Sequence, residues 1–139
     1  MAATEAKQRD NPTPLSAPQY AVWSHPARFR VLVAGRRFGK TYLDVHEMVR
    51  AAMVGPARRV WFIAPTYRQA KQVVWSDLMQ IVPPHMIARK DEGDLSVKLV
   101  GYDSEIALRG ADNPDSLRGP GLDFVIFDEY ADIDPRAWP

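Results

Sequence analysis

The arrangement of apolar residues along the chain predicts three short buried strands. Apolar runs of strand length cover residues 29–34, 59–64 and 123–127. Runs that are apolar on both faces are typical of a parallel sheet, because helices cover both sides of such a sheet. Gly35 directly follows the first run and Asp128 directly follows the third, and both residues are suited to a loop.

Helical spacing follows the first two of these runs. Apolar residues recur at intervals of three and four over residues 40–54, and Gly55-Pro56 then stops the helix. A second helix is predicted over residues 65–82, since Thr66 and Gln69 have the spacing of a capping box. Prolines 83 and 84 end it.

Three further segments complete the expected fold. Residues 19–25 predict one or two helical turns that end at Pro26, and residues 95–100 and 104–108 alternate apolar and polar positions as an antiparallel hairpin does. Strands that alternate with helices predict an α/β fold with a mostly parallel sheet and right-handed crossovers.

The first 18 residues are polar, contain three prolines and have no strand or helix period. They predict a flexible N-terminal arm that contributes nothing to the core. Residues 19–139 are then expected to form at most one domain, and a partial one.

Composition excludes several classes of protein. With 46% hydrophobic and 25% charged residues the chain is neither disordered, collagenous nor a coiled coil. No cysteine is present, which excludes disulfides, thiol catalysis and cysteine-bound zinc, and three scattered histidines make a poor metal cage. The chain has no apolar run long enough to span a membrane and no signal peptide, so we expect a soluble intracellular protein.

Charge is distributed unevenly although the net charge is only +1. Residues 1–70 contain 11 Lys and Arg against 4 Asp and Glu, which gives +7. Residues 71–139 contain 7 against 13, which gives −6. A basic first half and an acidic second half suit an anionic ligand held against a metal ion.

Residues 34–41 (AGRRFGKT) nearly match the phosphate-loop pattern G-x-x-x-x-G-K-[ST], with Ala34 in place of the first glycine. Gly39 lets the backbone approach anionic oxygens, and Lys40 supplies a charge for the β and γ phosphates. Thr41 offers a hydroxyl to Mg²⁺. The alternative is a surface loop with solvated charges. The residues expected at ATP are Gly35, Arg36, Arg37, Phe38, Gly39, Lys40 and Thr41.

Two carboxylates follow the third apolar run, 88 positions after Lys40. A buried strand would bring Asp128 and Glu129 to the carboxyl edge of the sheet, where open α/β sheets bind ligands. There Asp128 can hold Mg²⁺, while Glu129 can orient and deprotonate the water that attacks the γ phosphate. The alternative is an ordinary strand end with polar caps.

Arginines inside a phosphate loop are unusual, since such loops normally contain small residues. Either Arg36 or Arg37 can serve as an arginine finger in cis, a role worth about 10³ to 10⁵ in rate. Alternatively, they face outward and bind DNA phosphate or a neighbouring subunit.

From about Pro18 to its last residue the chain resembles the large subunit of the tailed-bacteriophage terminase, the motor that packages viral DNA. Three segments carry the resemblance. They are residues 31–41 (VLVAGRRFGKT), residues 64–70 (APTYRQA) and residues 116–132 with their L-R-G and D-E-Y-A-D sequences.

The resemblance implies a RecA-like P-loop NTPase fold with Walker A and Walker B motifs. It implies that Arg36 is the cis finger, that Glu129, Arg36 and Lys40 are catalytic, that Thr41 and Asp128 hold magnesium, and that Gln19 contacts adenine. A solvated helix residue is the alternative for Gln19. The implied partners are double-stranded DNA, the portal, the small terminase subunit and further copies in a ring. The implied location is the bacterial host cytoplasm, transiently at the procapsid portal.

The chain stops shortly after the acidic strand, whereas members of that family continue. Their next strand carries the coupling motif and lies between the phosphate-loop strand and the acidic strand, and a nuclease domain follows. We therefore expect a truncated or split ATPase domain that aggregates readily and hydrolyses ATP poorly. The competing functions are a non-catalytic nucleotide-binding or interaction module and a helicase-type DNA translocase.

Overall fold

A computed structural model of the chain describes residues 14–137, and five strands of these residues form one sheet. The strands are β1 (Arg59–Ala64), β2 (Ile87–Asp91), β3 (Ser96–Leu99), β4 (Glu105–Gly110) and β5 (Phe124–Phe127). Their spatial order is β2-β3-β4-β1-β5. β1 pairs in parallel with β4 and β5, and β3 is antiparallel to β2 and β4. Because only β3 opposes the others, the predicted mostly parallel α/β sheet is confirmed.

The three helices that the sequence predicts are present among residues 14–137. They are α1 (Ala17–Trp23), α2 (Lys40–Met53) and α3, which comprises Tyr67–Ala70, Lys71–Trp75 and Ser76–Ile81. Short 3-10 turns occur at Arg36–Phe38, Pro84–Met86, Pro114–Leu117, Tyr130–Asp132 and Pro135–Ala137. In the part of the chain that the structure describes, no helix is long and apolar enough to cross a membrane.

The middle section of α3, Lys71–Trp75, is a π-helix. Ala70, Val74 and Leu78 are all buried and lie four residues apart, so the first and last are eight positions apart. Two turns of an α-helix take only about seven positions. One π-helical turn accommodates the additional residue, and all three side chains pack in the core.

The chain divides into two compact units, Met1–Leu43 and Asp44–Pro139. The second unit contains the sheet and has a core on each face. On one face, residues of α2 and α3 pack over β1, β3 and β4, with Phe62 and Leu108 fully buried. On the other face Trp61 and Ile63 pack with residues near the end of the described chain, such as Ile133. Trp61, Val74 and Trp75 are core residues.

The predicted first strand, residues 29–34, does not form in this structure. None of its residues is assigned to a strand, and Val31 and Val33 are 94% and 93% exposed. The physical reason is that strand propensity takes effect only where a neighbouring strand supplies a hydrogen-bonded ladder and an apolar face. No strand within residues 14–137 pairs with this segment.

The end of the predicted N-terminal arm differs from the prediction. Residues 1–13 of the expected arm lie outside the described residues, but the remainder is ordered into the fold. Leu15 is buried, Ser16 caps α1, and the helix begins at Ala17.

The edge strand β2 was not predicted, because its sequence IARKD is mostly polar and exposed. Charged residues are typical of edge strands, where they discourage pairing with other chains.

Candidate nucleotide site

The predicted phosphate loop is a compact turn that leads directly into α2. Gly35 is extended, Arg36–Phe38 form one 3-10 turn, and Gly39 adopts a left-handed conformation with φ of +80°. The amide of Phe38 donates to the Gly35 carbonyl at 3.1 Å. Because α2 begins at Lys40, the amides of its first turn and the positive end of its dipole are directed toward the loop. A helix N-terminus suits an anion such as phosphate in general, and phosphate binding by this loop stays a prediction.

The side chain of Gln19 lies against this loop. It is 7% exposed, and its Nε2 donates to the carbonyls of Phe38 at 3.1 Å and Gly39 at 3.0 Å. Its Oε1 accepts from the Ser16 amide at 2.9 Å. A solvated helix residue, the alternative that the sequence left open, is therefore wrong. The adenine contact that the resemblance implies stays a prediction.

The backbone of Gly39 requires glycine, since its φ of +80° is unfavourable for any residue with a Cβ. A Cβ there would also come to 2.5 Å from Gln19 Nε2, so the Gln19 side chain would have to shift and its contact with the loop would change.

The remaining loop residues differ in exposure. Gly35, Arg36 and Arg37 are exposed, while Lys40 and Thr41 are half-buried. Both arginine side chains are thus accessible from solvent. Exposure suits a finger on a bound nucleotide and a contact to DNA or a neighbouring subunit equally well, so both alternatives from the sequence remain.

The acidic pair lies in the second unit, where β5 ends. The amide of Asp128 donates to the Ile63 carbonyl at 2.9 Å, which extends the ladder between β5 and β1 by one residue. Asp128 is therefore positioned by the sheet itself, at its carboxyl edge, as predicted. Glu129 comes next and is exposed, and its carbonyl accepts from the Asp132 amide at 2.9 Å.

The backbone of Glu129 is left-handed, with φ of +49° and ψ of 50°. This conformation costs a residue with a Cβ about 1 to 2 kcal/mol. Ala57, Leu95 and Asp103 have similar positive φ values, so this conformation does not by itself mark a site. The role of Glu129 as the reactive carboxylate stays a prediction.

The sequence did not single out Gly110, which ends β4 at the same edge of the sheet. Ala64, the last residue of β1, is its partner in the ladder. A Cβ on Gly110 would overlap the Tyr67 amide nitrogen and approach the Thr66 carbonyl carbon to 2.7 Å. Glycine is therefore required for the start of α3 to pack over β4. A lone glycine in a strand pattern is the available signal for such a close approach.

The loop belongs to the first compact unit, and the acidic pair belongs to the second. Each therefore has its own local support: Gln19 and α2 for the loop, and the ladder with β1 for Asp128. Within residues 14–137 no group of three or more His, Asp or Glu side chains is placed to hold a metal ion.

Over residues 31–137 the chain matches the family described as terminase large subunit, T4likevirus-type, N-terminal. The chain belongs to the terminase large subunit family. The large subunit of Thermus phage G20c is 32% identical over 139 aligned positions, which cover 86% of this chain and 28% of that protein. The large subunit of Thermus virus P23-45 matches to the same extent.

Solved terminase structures have the same fold. The large terminase ATPase domain of Thermus phage P74-26 superposes with a TM-score of 0.76 at 30% identity, covering 92% of this chain and 57% of that one. A large terminase from another thermophilic bacteriophage has a TM-score of 0.71 at 19% identity, covering 90% of this chain and 36% of that one. This terminase chain thus spans less than a third of the curated relatives that it matches.

Proposed function

We propose that this chain binds and hydrolyses ATP as part of the motor that packages phage DNA. The observation that carries the proposal is the phosphate loop, with a left-handed Gly39 and a helix that begins at Lys40, in a chain of the terminase family. The loop geometry suits phosphate binding in general, and the family membership favours ATP and DNA packaging over a helicase-type translocase.

Each polar residue of the site has a role that its chemistry allows. Lys40 neutralises charge on the β and γ phosphates, and Thr41 and Asp128 are suited to magnesium because both offer hard oxygen donors. Glu129 orients and deprotonates the attacking water. Arg36 stabilises the negative charge that develops as the γ phosphate departs.

Magnesium fits the donors that the chain offers. A P-loop magnesium ion is bound by one or two protein oxygens together with phosphate oxygens and water. It would supply positive charge that neutralises the triphosphate. The chain's own contribution is to direct loop amides at the phosphates and to hold Asp128 on the strand ladder.

The wider assignments follow from the proposed motor. Its partners would be double-stranded DNA, the portal, the small terminase subunit and further copies of the motor subunit in a ring. It would work in the bacterial host cytoplasm and transiently at the procapsid portal.

The test uses Lys40→Ala and Glu129→Gln, measured in the 139-residue chain and in any longer product of the gene. Lys40→Ala should weaken Mg-ATP binding about 10-fold to 100-fold, as expected for loss of a charged hydrogen bond. Glu129→Gln should keep ATP binding and lower turnover about 10²-fold or more. Lys71→Ala and Glu92→Gln are matched controls at exposed positions.

Three outcomes decide between the candidate functions. Binding without turnover in every form tested would favour the non-catalytic nucleotide-binding module. Unchanged binding in Lys40→Ala would contradict the phosphate-loop assignment. Undiminished turnover in Glu129→Gln would show that another residue is the base.

A further inference from the structure

The carboxamide of Gln19 is buried against the phosphate loop, within the first compact unit. It contacts Phe38 and Gly39, which lie 19 and 20 residues further along the sequence. Gln19 is also the third residue of α1, where its Oε1 and the Ser16 hydroxyl form the capping box of that helix. The side chain thus connects the beginning of α1 to the end of the loop.

The hydrogen-bonding capacity of this amide shows what it can recognise. A glutamine amide has two N–H donors and one carbonyl oxygen that can accept two hydrogen bonds. Both loop carbonyls, of Phe38 and Gly39, accept from Nε2, and Oε1 already accepts from Ser16. Reading adenine requires a donor for N7 together with an acceptor for N6. In this arrangement the donors serve the protein backbone instead.

The contact also bears on the direction of the neighbouring amides, together with the hydrogen bond from the Leu43 amide to the Gly39 carbonyl in α2. A trans peptide unit is planar, so its C=O and the following N–H point in opposite directions. All described peptide bonds are trans. Since the carbonyls of Phe38 and Gly39 point at Gln19, the N–H groups of Gly39 and Lys40 are directed to the opposite side of the loop. In a phosphate loop these N–H groups are the ones that meet the phosphates.

We propose that Gln19 is a positioning residue that orients the phosphate-binding amides of the loop, and that it strengthens binding of any triphosphate regardless of the base. The inference rests on the proposed nucleotide-binding function and extends it. Gln19 acts on the ligand only through the Phe38-Gly39 backbone.

The chain contains a natural control for this role. Gln69 occupies the same position in the capping box of α3, where its Oε1 accepts from the Thr66 amide at 3.1 Å. The contacts described for Gln69 stay within that cap. Replacing Gln69 therefore removes the helix-capping role of such a glutamine without the contact to the loop.

The decisive probe is inorganic tripolyphosphate, which has no base. Binding of Mg-tripolyphosphate, Mg-ATP and Mg-GTP is measured by calorimetry for the wild type, Gln19→Met, Gln69→Met and Ser16→Ala. Gln19→Met keeps the length of the side chain but removes both donors, and we expect it to weaken all three ligands by the same factor, about tenfold. Gln69→Met and Ser16→Ala should bind all three as the wild type does.

Gln19→Glu guards against a simple loss of folding. Its carboxylate can still accept from the Ser16 amide, so the cap of α1 survives, but it faces the loop carbonyls without a donor. Because its negative charge also repels phosphate, this variant tests folding alone, by circular dichroism. In Gln19→Met, wild-type tripolyphosphate binding with an altered preference for ATP over GTP would overturn the proposal and restore the adenine contact.

Hydrogen exchange tests the contact without any ligand. The amides of Phe38 and Leu43 donate to the carbonyls of Gly35 and Gly39. Both should exchange faster in Gln19→Met and at the wild-type rate in Gln69→Met. Unchanged exchange in Gln19→Met contradicts the positioning role alone. Failure of the wild type to bind any of the three phosphate compounds contradicts the proposed function, and with it the role of Gln19 toward triphosphate.

Discussion

The amide nitrogen of Tyr67 occupies the space that a side chain on Gly110 would need. The obstacle is backbone on an element that is itself held by a capping box at Thr66, so a rotamer change cannot relieve it. Gly110→Ala is therefore expected to lower the free energy of unfolding by about 1 to 3 kcal/mol. Urea denaturation monitored by circular dichroism measures it. Gly121→Ala, where nothing lies within 4 Å, should be close to neutral.

The left-handed backbone of Glu129 predicts that glycine is more stable than alanine at this position. Glu129→Gly removes the Cβ that makes this conformation unfavourable, so it should be more stable than Glu129→Ala by about 1 kcal/mol. Thermal unfolding of the two variants provides the comparison. At Lys71, whose φ of −62° and ψ of −48° lie in the right-handed helical region, the order should reverse, since glycine weakens a helix. Equal stabilities of the two Glu129 variants would argue against strain at this residue.

Burial lowers the pKa of His46 on α2 below its ordinary value of 6.5. As the pH falls below 6.5 the unfolded chain takes up a proton that the folded chain resists, so stability decreases until the pH passes the folded pKa. His46→Gln should flatten this decrease between about pH 7 and pH 5.5. His85→Gln is a matched control at an exposed position. The measurement is a series of urea denaturations across this range.

The capping box at the start of α3 should contribute measurably to the free energy of unfolding. The Gln69 amide donates to the Thr66 hydroxyl at 3.1 Å, and removing that acceptor in Thr66→Ala should cost about 1 kcal/mol. Thr66→Ser keeps the hydroxyl and should recover most of the loss. If serine is as damaging as alanine, the methyl group rather than the cap is responsible, and chemical denaturation distinguishes the two.

Val31 and Val33 are almost fully exposed. Replacing them is therefore expected to change the solubility of the protein more than its stability. Replacing both with threonine should change the free energy of unfolding by less than about 0.5 kcal/mol. Light scattering during heating should show slower aggregation, because an exposed apolar segment of strand type is removed. Val60→Thr, in the fully buried centre of the sheet, should instead cost about 1 to 3 kcal/mol. Unchanged aggregation of the double variant would show that another part of the protein causes the aggregation.

Local sequence patterns predicted most of the elements because each has its signal within a few residues. The strand Arg59–Ala64 was predicted at its observed bounds, since Arg59 and Pro65 enclose an apolar run. The capping box of Thr66 and Gln69 was confirmed for the same reason. The segment 29–34 carried an equally good strand signal and failed, because a strand also needs a partner, and that requirement is not local.

The site shows the same division. Residue types predicted the position of Asp128 at the end of β5, and the structure confirms it. The predicted phosphate loop leads into α2 as expected, but no strand precedes it within residues 14–137, and its binding of phosphate stays a prediction. The contact of Gln19 with Phe38 and Gly39 could not be predicted, since it joins segments far apart in sequence. The left-handed conformation of Glu129 has no signal in its residue type, because glycine or asparagine normally marks it. The catalytic roles stay predictions.

The π-helical turn of α3 makes this helix one residue longer than its packing requires. Deleting Val73, an exposed residue within that turn, would leave a regular α-helix with Ala70 and Leu78 still on the buried side. The same deletion in α2, which is α-helical throughout, would rotate every later residue by about 100° and expose its core positions. Residues 71–75 are therefore the place in this domain where the length of a helix can vary by one residue during evolution without loss of the core.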